Sequence, residues 1–231
     1  STLSSSSAAS DVYKRQGGIY RAPGVQIHEA EARGFLASSD QRFDLIQLPE
    51  IEALGAAGAG LYAAQESYLY TVESFTAMLE HLAPDGLLCV TRWAQTPPRD
   101  GLRLFDTAAE AIRSLGGDPA RQLAMLRSWV TVSVLAFRRP ISPEECARLR
   151  AFCGARSLDI CYLPDMRESE ANRYHVLDRP YYYEGARALL GTGRSEYLAQ
   201  YPFGVEATRD DKPYFGHFFR WSSLPLFFEQ L

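Results

Sequence analysis

The chemistry open to this chain depends on where its acids, histidines and cysteines stand. Glu31 follows a strand-like run, VQIHEA, at the start of a helical stretch, and Glu50 and Glu52 follow a second apolar run, FDLIQL. Asp210 and Asp211 lie in ATRDDKPYFGHFFRW near the carboxyl terminus. An ionised carboxylate only accepts hydrogen bonds, so acids placed just beyond strands suit the gripping of an amino group or the uptake of a proton. Metal and dithiol chemistry are not indicated. Cys89, Cys146, Cys153 and Cys161 contain no C-x-x-C pair, and His28, His81, His175 and His217 form no ligand-spaced set. The thiols read as free cysteines of a reducing compartment, Cys89 within an apolar strand-like run and Cys146 and Cys153 seven apart on one helix face. The run Tyr181 to Tyr183 reads either as the lining of a small-molecule pocket or as an aromatic face packed inside the protein.

The elements that carry these residues follow from composition and pattern. The chain has 231 residues, 46% hydrophobic and 23% charged, enough for one large domain or one domain with an appendage. Its net charge of -4, with arginines and acids interspersed, lacks the clustered basic footprint of a nucleic-acid surface. No stretch reaches the roughly 20 apolar residues of a membrane-spanning helix. From Gly17 onward short apolar runs alternate with helical patterns, the order of an α/β sheet protein. Strands are expected at residues 25–30, 43–48 and 87–93, and helices at 32–38, 65–82 and 102–115, with Pro84-Asp85-Gly86 closing the second helix. Residues 122–126 and 129–137 are joined by so short a link that they must pair antiparallel. A helix at 143–153, a short strand at 158–163 and a Tyr-rich helix at 181–190 complete the pattern. The Gly and Ala-rich stretch 53–64 follows the carboxyl end of a strand, where folds of this kind bind ligands, and reads as a lid.

Three segments carry a family resemblance. GVQIHEAEARGFLASSDQRFDLIQL resembles the third and fourth strand region of spermidine synthases. LYAAQESYLYTVESFTAMLEHLAPDGLLCVTRW resembles the segment that follows it there, a Tyr and Glu-rich helix leading through a Pro-Asp-Gly turn into the fifth strand. ATRDDKPYFGHFFRW resembles the TDDRPyFfhF signature of a subgroup fused to polytopic membrane segments, with Arg209 where the signature has Thr. The resemblance implies an α/β fold with a partial Rossmann-like sheet of the class I methyltransferase type, mostly parallel with a C-terminal antiparallel hairpin. Residues 17–140 would form the second half of that transferase domain, and residues 141–231 a small α/β appendage with the DDKPYF motif. It also implies that Glu31, with Ala32 beside it, accepts a hydrogen bond from the adenine amino group of the cofactor, and that Arg33 matches a basic residue of the family. Glu31 has a second reading, as a helix-starting acid on the helix dipole.

Transfer from a sulfonium cofactor is an in-line displacement, in which the protein holds a neutral nucleophile and accepts its proton. The family's D-x-x-D-P stretch falls here on Leu48-Pro49-Glu50-Ile51-Glu52, so both aspartates are absent and Glu52 and Glu50 are the catalytic candidates. An extra methylene moves a carboxylate by about 1 Å, roughly a hundredfold in a positioned reaction, which leaves methyl transfer open beside aminopropyl transfer. The glycine-rich loop and the ribose-binding acid should precede Val25, and residues 17–24 do not supply them. The chain is therefore expected to be a piece of a longer protein, cut within the apolar SSLPLFFEQL at its other end, with residues 1–16 a non-native or disordered leader. Without the first strand, residues 25–30 and 43–48 would be separated and sheet edges exposed. The intact parent is expected to use S-adenosylmethionine or its decarboxylated form, with none bound by this piece and no metal. Its partners would be a small-molecule acceptor and fused or adjacent transmembrane segments, not nucleic acid, and its place the cytoplasmic face of a membrane. The competing reading is a non-catalytic binding or regulatory domain of a membrane transport protein that retains the fold.

Overall fold

The computed structural model describes residues 22–49 and 65–221. The leader 1–16, the candidates Glu50 and Glu52, the stretch 53–64 and the last ten residues lie outside the described residues. Helix α1 (Ala32–Ala37) leads into β1 (Phe43–Leu48). A short 3-10 turn (Tyr68–Tyr70) then precedes α2 (Val72–Glu80) and the long strand β2 (Leu82–Trp93). Next come α3 (Asp100–Ser114), the single turn α4 (Pro119–Gln122), and the hairpin of β3 (Leu123–Arg127) and β4 (Thr131–Phe137). Helix α5 (Pro143–Arg156), β5 (Asp159–Tyr162), α6 (Tyr181–Leu190) and α7 (Arg194–Gln200) follow.

The five strands form one open mixed sheet in the order β1-β2-β4-β3-β5. Only β1 and β2 pair in parallel, and the other three pairings are antiparallel, which corrects the expectation of a mostly parallel sheet. The reason is the hairpin. A three-residue link forces β4 to reverse, and β4 then inserts between β2 and β3, so those two strands, which point the same way, do not pair with each other. The segment 25–30 is a second correction, because it forms no strand and Val25 and Ile27 are exposed. A strand needs a neighbour for its N–H and C=O groups, and this segment has none among the described residues. β1 is accordingly an edge strand there, with Leu45 52% exposed. The expected Pro-Asp-Gly turn is instead a bulge inside β2, whose register jumps from Phe43↔Leu82 to Leu45↔Leu87. Gly86 is required at that bulge, since a Cβ there would stand 2.7 Å from the carbonyl oxygen of Phe43.

One face of the sheet is covered by α2, α3 and α6. Phe75, Met78 and Leu79 of α2 and Leu102, Phe105 and Ile112 of α3 bury against Leu88, Val90, Val132 and Val134. Tyr182, Leu189, Phe203, Phe215 and Phe218 join the same cluster, so the segment beyond residue 141 shares both the sheet and the core of what precedes it. The other face is covered by α5, which begins with a capping box between Ser142 and Glu145 and turns Cys146 and Cys153 toward Ala124, Leu126 and Ile160. Helix α6 lies close against α3 because Gly185 presents no side chain there. An added Cβ would come within 2.6 Å of the Leu102 Cδ2 atom and 2.9 Å of the Tyr197 hydroxyl. Gly185→Ala is therefore expected to destabilise by about 1–3 kcal/mol through overpacking, outweighing the better helix propensity of alanine. A urea unfolding midpoint equal to or above that of the parent chain would show the contact to be slack.

Candidate functional site at the carboxyl edge of the parallel strands

The two helices flanking β1 are oriented by a single histidine. His81, which closes α2, contacts the Ser39 carbonyl oxygen through Nε2 at 3.0 Å, and its own carbonyl accepts the N–H of Phe43 at 2.9 Å. The ends of α1 and α2 thus meet at the start of β1, and their beginnings lie away from it, toward the carboxyl end of that strand. Each beginning is capped. The Glu31 Oε2 atom accepts the Gly34 N–H at 2.8 Å, and the Thr71 Oγ1 atom accepts the Ser74 N–H at 3.2 Å. The backbone N–H groups of Arg33 and Gly34 hold the Glu31 carboxyl below its ordinary range, so it is ionised at neutral pH. Its contact with the helix start is the one its second reading anticipated, while its exposure at this edge leaves the carboxylate accessible to a ligand amino group. Ala32 is the first residue of α1 beside it.

The DDKPYF segment folds back onto these helix beginnings. Arg33 donates to both carboxylate oxygens of Asp210, at 2.9 and 2.8 Å, and to the Tyr68 carbonyl at 3.1 Å. Asp210 also accepts the Thr71 hydroxyl at 2.7 Å, and its N–H donates to Glu73 at 3.0 Å. Arg33 beside it, aided by Thr71, holds the Asp210 carboxyl below the usual range. Backbone bonds from Ser67 to Pro213 and from Val72 to Thr208 fix the segment, and the hydroxyls of Tyr68 and Tyr214 both reach Glu66 at 3.2 Å. Arg33 and Asp210, which stand in two separate segments of the sequence, are thus one bidentate pair across 177 positions.

A second, deeper cluster lies at the carboxyl end of β2. Arg92 is 1% exposed and donates from Nε to Asp100 at 3.3 Å and from Nη1 to the Tyr70 hydroxyl at 3.4 Å. Its guanidinium sits 5.1 Å from the Tyr70 ring centre and 5.6 Å from that of Phe215, beside these two rings, whose centres are 4.9 Å apart. Burial pushes the Asp100 carboxyl up and Arg92 pulls against that shift, while the Asp100 Oδ1 atom accepts no hydrogen bond from the described residues. The Gln95 Oε1 atom accepts the Asp100 N–H, and Gln95 itself is tied through its N–H and carbonyl to the Tyr182 hydroxyl at 2.9 and 2.8 Å. Tyr182 is therefore a packed residue that anchors the chain leaving β2. Sequence reading missed Arg92 and Asp100, although a single arginine inside the apolar run LLCVTRW was the available signal.

No group of three or more His, Cys, Asp or Glu side chains among the described residues could hold a metal ion, and the four cysteines are free thiols. No helix among the described residues is long and apolar enough to cross a membrane. The chain matches no protein-family model, and no curated protein matches it significantly.

Proposed function

We propose that this chain supplies the C-terminal half of a spermidine synthase-like transferase domain that uses S-adenosylmethionine or its decarboxylated form. The observation that carries the reading is the sheet. Two parallel strands joined through a helix are followed by an antiparallel hairpin whose last strand lies beside the second of them, and the helix beginnings gather at the carboxyl edge. Ligands of open α/β sheets bind at that edge. Glu31 would take the cofactor's adenine amino group, for which an ionised and exposed carboxylate is a suitable acceptor. When bound, the sulfonium cofactor supplies the activated carbon, and the chain's own task is to orient the acceptor and remove its proton. Glu52 and Glu50 are the groups proposed for that proton, in a domain standing on the cytoplasmic face beside the membrane segments of its parent.

A second reading, a non-catalytic domain that keeps the fold, is favoured by one feature of the site. The motif acid Asp210 spends its carboxylate on Arg33 and Thr71, which is a structural use. Calorimetric titration separates the two. Residues 17–231 alone are expected to give no heat with S-adenosylmethionine or its decarboxylated form. The same residues joined to the parent's upstream portion are expected to bind one of them, with Glu31→Ala weakening binding about tenfold, the loss of roughly 1.4 kcal/mol. Micromolar binding by residues 17–231 alone would refute the division of the pocket, and no binding by the joined chain would refute the transferase reading.

A further inference from the structure

A cavity of about 380 Å³ opens between the turn at residues 209–212 and the segments 204–208 and 217–220, walled on one side by α3. Its volume lies in the range of small-molecule sites. Among the described residues four cations line it, Arg103, Arg209, Lys212 and Arg220, against two acids, Glu206 and Asp211, a net excess of two positive charges in the described wall.

These cations do different things. Buried Arg103 donates to the carbonyl oxygens of Gly204, Tyr214, Phe215 and His217, which ties three segments together and gives the cavity a fixed shape without any ligand. Arg220 holds Glu206 at 2.9 Å and so neutralises one of the two acids. Arg209 is half exposed, and its contacts to Glu73 and Glu110 are long, 3.5 and 3.4 Å against the 2.8 Å of the Arg33–Asp210 pair. Its guanidinium is thus loosely held and able to turn a donor face toward an incoming anion. The exposed Lys212 ammonium makes no hydrogen bond or ion pair with the described residues. Asp211, the remaining acid, is exposed and stays solvated at the rim. Two exposed rings, Tyr214 and Phe219, complete the wall and offer a surface to an aromatic or apolar group.

We propose that this cavity binds the phosphate of a phosphomonoester or phosphodiester, with Lys212 and Arg209 contacting the oxyanion and Tyr214 and Phe219 covering the attached organic group. A phosphate matches the surplus charge, and the volume leaves room for a substituent that a bare ion would not fill. The proposal does not depend on the transferase reading, because none of these four residues is placed in that chemistry.

The test uses the full chain at low salt with three probes: phenyl phosphate, inorganic phosphate, and phosphatidylcholine vesicles containing one part in three of phosphatidylglycerol. Binding is expected to weaken about tenfold in Lys212→Glu, to persist in Lys212→Arg, and to weaken as salt screens the contact. Lys212-dependent binding of phenyl phosphate assigns the site to a soluble ester, and Lys212-dependent binding of the vesicles alone assigns it to a lipid headgroup. Thermal unfolding of Lys212→Glu should match the parent chain, since the ammonium has no partner among the described residues to lose. No binding of any probe, or binding indifferent to Lys212→Glu, overturns the proposal.

Discussion

Arg92→Leu is expected to cost about 3–5 kcal/mol of folding free energy, because it leaves Asp100 charged, buried and uncompensated. Both side chains are almost fully buried, at 1% and 2% exposure, so solvent does little to screen the loss. The guanidinium also packs beside the touching rings of Tyr70 and Phe215, and its removal disturbs the contact between the DDKPYF segment and the sheet. The double variant Arg92→Leu with Asp100→Asn is expected to recover more than half of the loss, since the stranded charge is then gone. The pH dependence has a definite sign. Burial raises the Asp100 carboxyl above its unfolded value of about 4, so its contribution to stability is full below that value and is lost as pH rises through the folded value. Without Arg92 the carboxyl rises further, and the gap between variant and parent should narrow on going from pH 7 toward pH 4.5. Urea unfolding at the two pH values measures it. A single variant within 1 kcal/mol of the parent at pH 7, or a gap that widens on acidification, would show that the pair is not what holds this end of β2.

What the sequence made legible was whatever depends on near neighbours. The run FDLIQL became β1, the hairpin formed where a short link demanded it, the helix expected from residue 143 formed as α5, and α6 spans the Tyr-rich stretch. Residues 25–30 misled because an apolar run becomes a strand only when another strand lies beside it. The bulge at residues 83–86 was equally invisible, since it exists to let Phe43 pair with Leu82 on another strand. The same limit applied to the candidate site. Arg33 and Asp210 were each noticed, but no local spacing states that a residue early in the chain will grip one near its end. Arg92 and Asp100 stand only eight positions apart, yet their meeting depends on α3 turning back across the end of β2. A buried ion pair in a strand-to-helix connection has no compositional signature beyond one charged residue in an apolar run.

The same physics predicts a large and more local effect at the other end of the sheet. Asp159 begins β5 and is 1% exposed, and its Oδ1 atom accepts the N–H groups of Arg173 and Tyr174 at 2.7 and 2.8 Å. Its Oδ2 atom accepts the His175 N–H at 2.9 Å and a donor from Arg127 at 2.8 Å. Four donors thus converge on one carboxylate, which is why the irregular stretch after the 3-10 turn at Glu168–Glu170 keeps one shape. Asp159→Asn preserves the outline but replaces one acceptor oxygen with an amide that can only donate, so either Arg127 and His175 or Arg173 and Tyr174 face a donor in place of an acceptor. The change also removes the charge that balances buried Arg127, whose guanidinium packs 5.5 Å from the Tyr182 ring centre. A loss of about 3–5 kcal/mol is expected, accompanied by faster hydrogen exchange at the amides of Arg173, Tyr174 and His175 than at those of β2. Because Trp129 packs against His175 with ring centres 6.0 Å apart, its fluorescence should report the release of the stretch before the sheet unfolds. Exchange that rises equally in β2 and in residues 173–175 would mean that Asp159 holds the whole sheet and not this stretch.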